Sequence, residues 1–307
     1  AVLHPLRATA LLVRAQDHVN LLDLLTELLH DKNEDILPEG FTEAEWASLE
    51  EDFHALVNQI DPTDEWYLME RLDALTRRKK QETYPRYIAR LLSRACQTTE
   101  LVRVKLADRL DNTLDMHIDH EDPLEEVSFF NGFFQILFVD NYPGHAPEIP
   151  HPNLVPFSGA KRLYELAKNT VFLSLVRGEP GLSLGTTEHD LIQAISAASL
   201  NESQRVIVHI FGYHITDIVR QRRLLQEFVG EFVSDGPCGE RRLSAAEQHL
   251  NEIFLQRLES MDLKDQEARL ASLYADKSRM VKAALAFIVV FQSFLNDPSY
   301  RCPLASS

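Results

Sequence analysis

A histidine and three carboxylates stand within six residues, directly after a leucine-rich segment. His30 and Asp31 come first, and Glu34 and Asp35 follow. The leucines recur at helical spacing, which predicts a buried helix that delivers His30 and Asp31 to an interior site. Residues three and four apart share a helix face, so Glu34 is expected beside His30 and Asp31, and Asp35 beside Asp31. An imidazole among carboxylates suits a divalent metal ion, because unpaired buried acids are otherwise very costly.

An ordinary charged helix end is the alternative interpretation, and it is the usual one for an isolated His-Asp pair. Two further stretches count against it. Residues 102–112 predict another helix, on which Asp108 and Asn112 share a face because they are four residues apart. Near the start of the sequence, His4 precedes a proline that can open a helix and fix the histidine just before it.

Taken in order, these motifs resemble those of the HD-domain phosphohydrolases, specifically the RelA/SpoT-type guanosine polyphosphate (ppGpp) hydrolases. The order is a histidine, then His-Asp-x-x-Glu-Asp at residues 30–35, then Lys-Leu-Ala-Asp-Arg-Leu-x-Asn at residues 105–112. Residues 72–78 and 82–88 resemble the connecting region in small members of that group. The resemblance covers roughly residues 1 to 120, and three ordered motifs are a much stronger signal than any one alone.

The resemblance implies a role for each matching residue. The metal ligands, typically for Mn²⁺ in these hydrolases, would be His4, His30, Asp31 and Asp108. Glu34 and Asp35 match the acidic pair beside the metal and the attacking water, and Asn112 matches an asparagine of the substrate pocket. The implied reaction is hydrolysis of the 3′-pyrophosphate of a guanosine polyphosphate.

Two departures from the family pattern bear on the substrate. Family members usually have a helix before the first histidine, with a basic segment that helps to recognise guanine, whereas this sequence begins three residues before His4. Either further residues precede Ala1 in the full-length protein, or the part that recognises guanine is absent. After Asn112 the chain reads Thr-Leu-Asp, where many members have a basic and a hydroxyl residue. Two alternatives therefore stay open: an HD nucleotidase or phosphatase acting on another nucleotide, and a regulatory helical protein that binds a nucleotide without hydrolysing it.

Two other clusters of polar residues have a functional and an ordinary interpretation. The basic run Arg77, Arg78 and Lys79 could contact substrate phosphates, since arginine offers paired donors to phosphate oxygens, or it could be a solvated face. His117 and His120 stand among acidic residues and could hold a second metal ion, but surface histidines at a helix end are the more common case.

Composition excludes several classes of protein. The 307 residues are 45% hydrophobic and 25% charged, which is typical of a soluble globular protein. The net charge of −16 argues against binding nucleic acid, which needs a basic face. Three widely separated cysteines predict no disulfide framework and favour a cytoplasmic location. The longest apolar stretch, 283–291, is shorter than the roughly 20 residues that span a bilayer, so no membrane association is expected.

Helical periodicity throughout, without alternating strand patterns, predicts an all-α fold. The spacings Thr42–Glu45 and Ser244–Glu247 predict capping boxes at the starts of two helices. We expect an HD-type domain over residues 1–122 and a second helical domain over 123–307, with a proline-rich arm at 142–157. The bifunctional family members carry a synthetase domain of mixed α/β structure, which the second half does not resemble, so we expect a hydrolase without synthetase activity.

Within the second half, cap residues predict one helix ending near Ala198, a second from Asn201 to about Val233, and a last one over 263–296. Its apolar content, notably in 283–291 and at Phe129, Phe130, Phe133 and Phe134, predicts either an internal core or self-association. A homodimer is the expected form of self-association, because two-fold pairs are the commonest oligomers.

Overall fold

The computed structural model describes residues 3–78, 81–114, 129–144, 159–233, 244–255, 258 and 263–300. Up to residue 114 the helices are α1 (Leu3–Ala15), α2 (Leu21–Leu29), α3 (Lys32–Asp35), α4 (Glu43–Val57), α5 (Pro62–Leu75), α6 (Tyr84–Ala95) and α7 (Glu100–Leu114). The later ones are α8 (Phe129–Phe138), α9 (Gly159–Gly178), α10 (Thr186–Tyr213), α11 (Ile218–Val233), α12 (Ala245–Leu250), α13 (Leu263–Ala275) and α14 (Lys277–Asn296). No strand occurs in these ranges, and the predicted all-α fold is confirmed.

The chain forms two compact units, and the first is built from two separate segments. The first unit comprises Ala1–Asn112 with Leu175–Ile195, and the second comprises Thr113–Ser174 with Ser196–Ser307. The predicted domain boundary at residue 122 and most of the predicted arm at 142–157 lie outside the described residues. No sequence signal indicated that residues 175–195 belong with the first unit.

In the first unit, the leucines of α2 pack on a small core formed by α4 and α5. Leu22, Leu25 and Leu29 contact a cluster that contains Leu68 and Leu72. Local sequence sets the starts of these helices. The Asn20 side chain accepts from the N–H of residue 22 and caps α2, and α4 begins with the predicted capping box of Thr42 and Glu45.

The opposite edge of α2 is polar and even more deeply buried. Asp23, Thr26 and Glu27 are the most buried residues of the helix, whereas Leu21 and Leu28 are exposed. The helix ends at Leu29, so the predicted single helical edge through residue 35 is wrong: two residues separate α2 from the one-turn helix α3. These two residues are His30 and Asp31, which form a turn with right-handed helical backbone angles.

In the second half, two predicted helix boundaries are wrong. Helix α10 continues through Asn201, because its buried positions recur at helical spacing from Ile195 to Ile210 and outweigh the capping tendency of one exposed asparagine. The break comes instead before Asp217, whose carboxylate accepts from the first N–H groups of α11. The predicted last helix is divided at Asp276, whose side chain caps α14.

Helix α14 is long and apolar enough to cross a membrane by length and composition, with a mean hydropathy of 1.5 over its most apolar window. Within the second unit it is a core helix that packs against α11, α12 and α13, and 56% of that window is buried. Its apolar stretch 283–291 is therefore mostly covered by the chain itself. Phe134 of α8 remains exposed, as does Phe138 one turn later, and the homodimer stays a prediction.

Candidate metal centre

The four predicted ligands come from three places in the sequence and converge in the first unit. His4 lies in the first turn of α1, His30 and Asp31 stand between α2 and α3, and Asp108 lies on α7. Asp108 Oδ1 is 3.1 Å from His4 Nε2 and 3.5 Å from His30 Nε2. Asp31 approaches the same two nitrogens, at 3.5 Å from His4 and 3.1 Å from His30.

These separations suit ligands that share one small cation. Neighbouring ligands of an octahedral ion with bonds of about 2.1 Å lie about 3 Å apart. The ligand atoms of His4, His30 and Asp31 all lie within 4.8 Å of one another. Two imidazoles and two carboxylates thus stand at distances that a common ion would impose.

Hydrogen bonds at the far side of each ring fix which nitrogen faces the cluster. His30 Nδ1 lies 2.6 Å from the carbonyl oxygen of Glu27, and His4 Nδ1 lies 2.6 Å from Asp111 Oδ2. A carbonyl and a carboxylate can only accept, so each Nδ1 carries a hydrogen, and in a neutral ring Nε2 then presents a lone pair. In the metal-free chain His4 Nε2 also hydrogen-bonds Asp108 Oδ1 at 3.1 Å, which requires a second proton on that ring. This arrangement is the usual one for histidines that bind metal ions.

The surroundings of one buried atom, His30 Nε2, show whether these residues suit a metal ion. His30 Nε2 is buried and makes no hydrogen bond with any described residue, because its 3.1 Å approach to Asp31 lacks hydrogen-bond geometry. A lone pair held against two carboxylates is unfavourable unless a positive charge lies between them. A divalent ion supplies that charge, so the donor set fits one.

The close packing of imidazoles and carboxylates shifts the pKa values of these groups. Burial alone would lower the pKa of His30, but the carboxylates of Asp108 and Asp31 outweigh burial and raise it to about 11. Burial would likewise raise the pKa of Asp108, yet Lys105 and the two imidazoles hold it well below its usual range. Protons and a metal ion therefore compete for the same position, since a metal-binding imidazole must be deprotonated.

Helix α7 supplies two further contacts to Asp108. The ammonium group of Lys105 lies 2.6 Å from Asp108 Oδ2, and Asn112 Nδ2 donates to Asp108 Oδ1 at 2.6 Å. Burial would lower the pKa of Lys105, but Asp108 holds it well above its usual value. Asn112, predicted to bind substrate, is thus a direct partner of a predicted ligand.

The two acidic residues after the His-Asp motif, Glu34 and Asp35, differ in burial and in their contacts. Glu34 is half-buried, and its Oε1 accepts from the backbone N–H of Arg77 at 2.6 Å. Asp35 is exposed at the end of α3, and within the described residues no hydrogen bond or ion pair joins its side chain to the cluster. The two acids therefore differ in burial, and Glu34 is the one that a backbone hydrogen bond holds.

The residues of the predicted basic run also differ in their surroundings. Arg77 is half-buried, with its guanidinium 5.5 Å from the centre of the Tyr84 ring. Arg78 is exposed and pairs with Asp73 at 3.1 Å. Lys79 lies outside the described residues, as do His117 and His120 of the possible second metal site.

Several residues of the centre were not predicted from the sequence. They are Arg7, Glu27, Lys105 and Asp111. Glu27 could have been recognised from the sequence. Asp23, Thr26, Glu27 and His30 form a polar stripe at helical spacing in a leucine-rich segment. A polar stripe opposite an apolar one indicates that both faces of the helix are buried.

Comparisons with protein-family models, curated proteins and solved structures found no match to this chain. The assignment of the site therefore rests on the residues and their geometry.

Proposed function

We propose that the chain is an HD-type metal-dependent phosphohydrolase with one divalent ion, Mn²⁺, held by His4, His30, Asp31 and Asp108. The observation that carries the proposal is the inward orientation of both Nε2 atoms onto two carboxylates, with each ring fixed from behind at Nδ1. Two imidazoles and two carboxylates leave coordination positions for a water molecule and a phosphate oxygen.

The proposed substrate is a guanosine polyphosphate, cleaved at its 3′-pyrophosphate, and the chain has no synthetase activity. This choice follows from the resemblance of the three motifs. Among the predicted phosphate contacts, Arg77 has the best position, because its backbone binds the proposed acid–base group Glu34. Arg78 is occupied by an exposed ion pair with Asp73.

When bound, the metal ion polarises a phosphate oxygen and lowers the pKa of a coordinated water. Glu34 would orient the attacking water or take its proton while the bond from phosphorus to the 3′ oxygen breaks, and that proton can then pass to the leaving 3′ oxygen. The N–H of Arg77 keeps the carboxylate in place during this transfer. Asn112 and Lys105 hold the two oxygens of Asp108, so that this ligand keeps one orientation.

A hydrolysis screen tests the proposal. The protein is stripped with EDTA, reloaded with Mn²⁺ and incubated with ppGpp and with a panel of other nucleotides and phosphate esters, followed by product analysis. We expect release of pyrophosphate from ppGpp that depends on Mn²⁺ and is absent in EDTA. Failure to bind Mn²⁺ would refute the metal centre itself.

The same screen separates the two alternatives. Hydrolysis of another nucleotide, with ppGpp left intact, would identify an HD nucleotidase, which the departure from the family pattern after Asn112 favours. Metal bound together with a nucleotide, but without turnover of any compound, would identify a regulatory binding protein.

A further inference from the structure

Behind the His4 ring, Arg7 and Asp111 form a second layer of polar contacts. Asp111 is only 2% exposed, and its Oδ2 accepts from His4 Nδ1 at 2.6 Å. Arg7 donates to both oxygens of the same carboxylate, through Nε at 2.9 Å and Nη2 at 3.1 Å. His4 and Arg7 are three residues apart on α1, so one face of the helix presents both to Asp111 on α7.

The two histidines of the centre differ in what lies behind them. The acceptor behind His30 is the neutral backbone carbonyl of Glu27, whereas the acceptor behind His4 is a carboxylate. A carboxylate acceptor makes the imidazole more basic and a stronger metal ligand, and it fixes the tautomer more firmly than a carbonyl does. His4 lies in the first turn of its helix, so it needs such an anchor more than His30 does.

We propose that Asp111, held in place by Arg7, is a positioning residue that fixes the tautomer and orientation of His4 and strengthens its bond to the metal ion. This inference rests on the proposed metal site but not on the substrate. It goes beyond the predicted ligand set, since neither Arg7 nor Asp111 belongs to that set.

An ordinary ion pair between α1 and α7 is the competing explanation for these contacts. Such a pair would stabilise the fold without affecting the affinity for metal. The structure provides a matched control, because Asp23 is equally buried in the same unit and accepts from Arg71 at 2.7 Å. Asp23 lies seven residues before His30 on α2, about 10 Å along the helix axis.

The test compares Asp111→Asn with Asp23→Asn in the full chain. In Asp111→Asn the new amide oxygen can still accept from His4 Nδ1, so the contact survives while the negative charge is removed. We measure the Kd for Mn²⁺ by calorimetry, the electron paramagnetic resonance spectrum of bound Mn²⁺, and the Tm in EDTA. We expect Asp111→Asn to weaken Mn²⁺ binding by about 10–100-fold and to change the spectrum.

Asp23→Asn should lower the Tm and leave both the Kd and the spectrum unchanged. Equal weakening in the two variants, or an unchanged Kd in Asp111→Asn, would overturn the inference. If the unsubstituted protein bound no Mn²⁺, the inference and the proposed function would both fall, whereas normal Mn²⁺ binding without phosphohydrolase activity would leave the inference standing.

A second variant applies if Asp111→Asn does not fold. Arg7→Gln keeps the carboxylate on His4 and removes the guanidinium that holds it, and the side chain of Arg7 is one-third exposed, so folding should tolerate the change. We expect weaker Mn²⁺ binding than in the unsubstituted protein, by a smaller factor than for Asp111→Asn. Unchanged affinity and an unchanged spectrum would contradict the role of Arg7 and Asp111.

Discussion

Three buried ionisable side chains lie along α2 and just past its end, and the charge of each is balanced in a different way. Near its start, Asp23 is bound by Arg71 at 2.7 Å and approached by Arg103 at 3.4 Å. In its middle, Glu27 is fully buried, neither oxygen has a hydrogen-bond partner among the described residues, and burial raises the pKa of this carboxyl well above its usual value. Just past its end, His30 turns Nε2 toward two carboxylates.

The two ends of the helix differ in how the buried charge is balanced, and this difference separates a structural ion pair from the proposed metal site. At Asp23 the chain supplies its own cations, so the charge is balanced without any ligand. At the other end, Asp31 and Asp108 together carry two negative charges, and Lys105 is the one permanently charged side chain paired with them in the described part of the chain. Burial would lower the pKa values of both imidazoles, but in the metal-free chain the nearby carboxylates raise them, so that protons can balance these charges. We propose that a divalent ion takes the place of those protons.

The largest expected effect is from Asp31→Ala, which removes a ligand without removing a helix cap. The Asp31 side chain makes no capping hydrogen bond to α3, so the variant should fold normally. We expect loss of bound Mn²⁺ and a fall of turnover to the level measured in EDTA. Elemental analysis after Mn²⁺ loading and a hydrolysis assay check this; retention of both metal and turnover would show that the cluster is not the site.

Next in size is Glu34→Gln, which should separate metal binding from catalysis. The amide oxygen can still accept from Arg77 N–H, so the geometry is kept while the proton-accepting group is lost. Removal of a positioned acid or base typically costs about 10²–10⁴-fold in turnover. The kcat should fall by that factor at unchanged Mn²⁺ content. Near-normal turnover would exclude Glu34 from the chemistry, and Asp35→Asn is the control because its side chain is exposed.

At the balanced end of α2, Asp23→Asn should affect stability and nothing else. It leaves the guanidinium of Arg71 buried, with Glu100 at 3.9 Å as the remaining acidic partner among the described ion pairs. Removal of one partner from a buried pair costs roughly 3–5 kcal/mol. Urea unfolding should show a loss of this size. If the variant also bound less Mn²⁺ per chain, Asp23 would not be independent of the proposed metal site.

The smallest effect concerns Glu27 in metal-free protein. Its pKa is higher in the folded state than the usual 4.5, so its contribution to stability is complete at low pH and declines as the pH rises toward the folded-state value. Glu27→Gln removes this dependence. The variant should therefore gain stability relative to the unsubstituted protein as the pH rises above 4.5, by at most about 1.4 kcal/mol per pH unit. Urea unfolding in EDTA at pH 5 and pH 7 checks the sign, and a gap that does not widen with pH would contradict a buried protonated Glu27.

Local rules predicted most of the helices and several of the residues that cap them. Capping boxes at Thr42 and Ser244 were predicted correctly, because such caps depend on residues three apart. The predicted helix start at Asn201 does not occur, and the helix start after Asp276 was not predicted. The two errors have opposite causes. Packing carries α10 across a good cap residue, whereas Asp276 caps a helix inside a stretch with continuous helical periodicity.

The sequence was sufficient to predict the candidate metal ligands, but not all of the residues that hold those ligands in place. Motif order was enough to single out His4, His30, Asp31 and Asp108, which lie together in the structure. Lys105 and Asn112 are local partners, three and four residues from Asp108, but the contact between Arg7 and Asp111 joins positions about a hundred residues apart. Such pairing depends on how α1 meets α7, which no local pattern encodes.

The division of the first unit into two segments has a consequence for how the protein is made. Arg103 donates to Glu188 at 2.8 Å, and Glu188 in turn accepts from the backbone N–H of Gly185. Glu188 and Gly185 both belong to residues 175–195, which leave the ribosome only after residues 113–174 of the second unit have been synthesised. Since translation proceeds at about 5–20 residues per second, the nascent first unit waits for several seconds with Arg103 lacking this partner, so its folding is completed late rather than as the first domain to emerge.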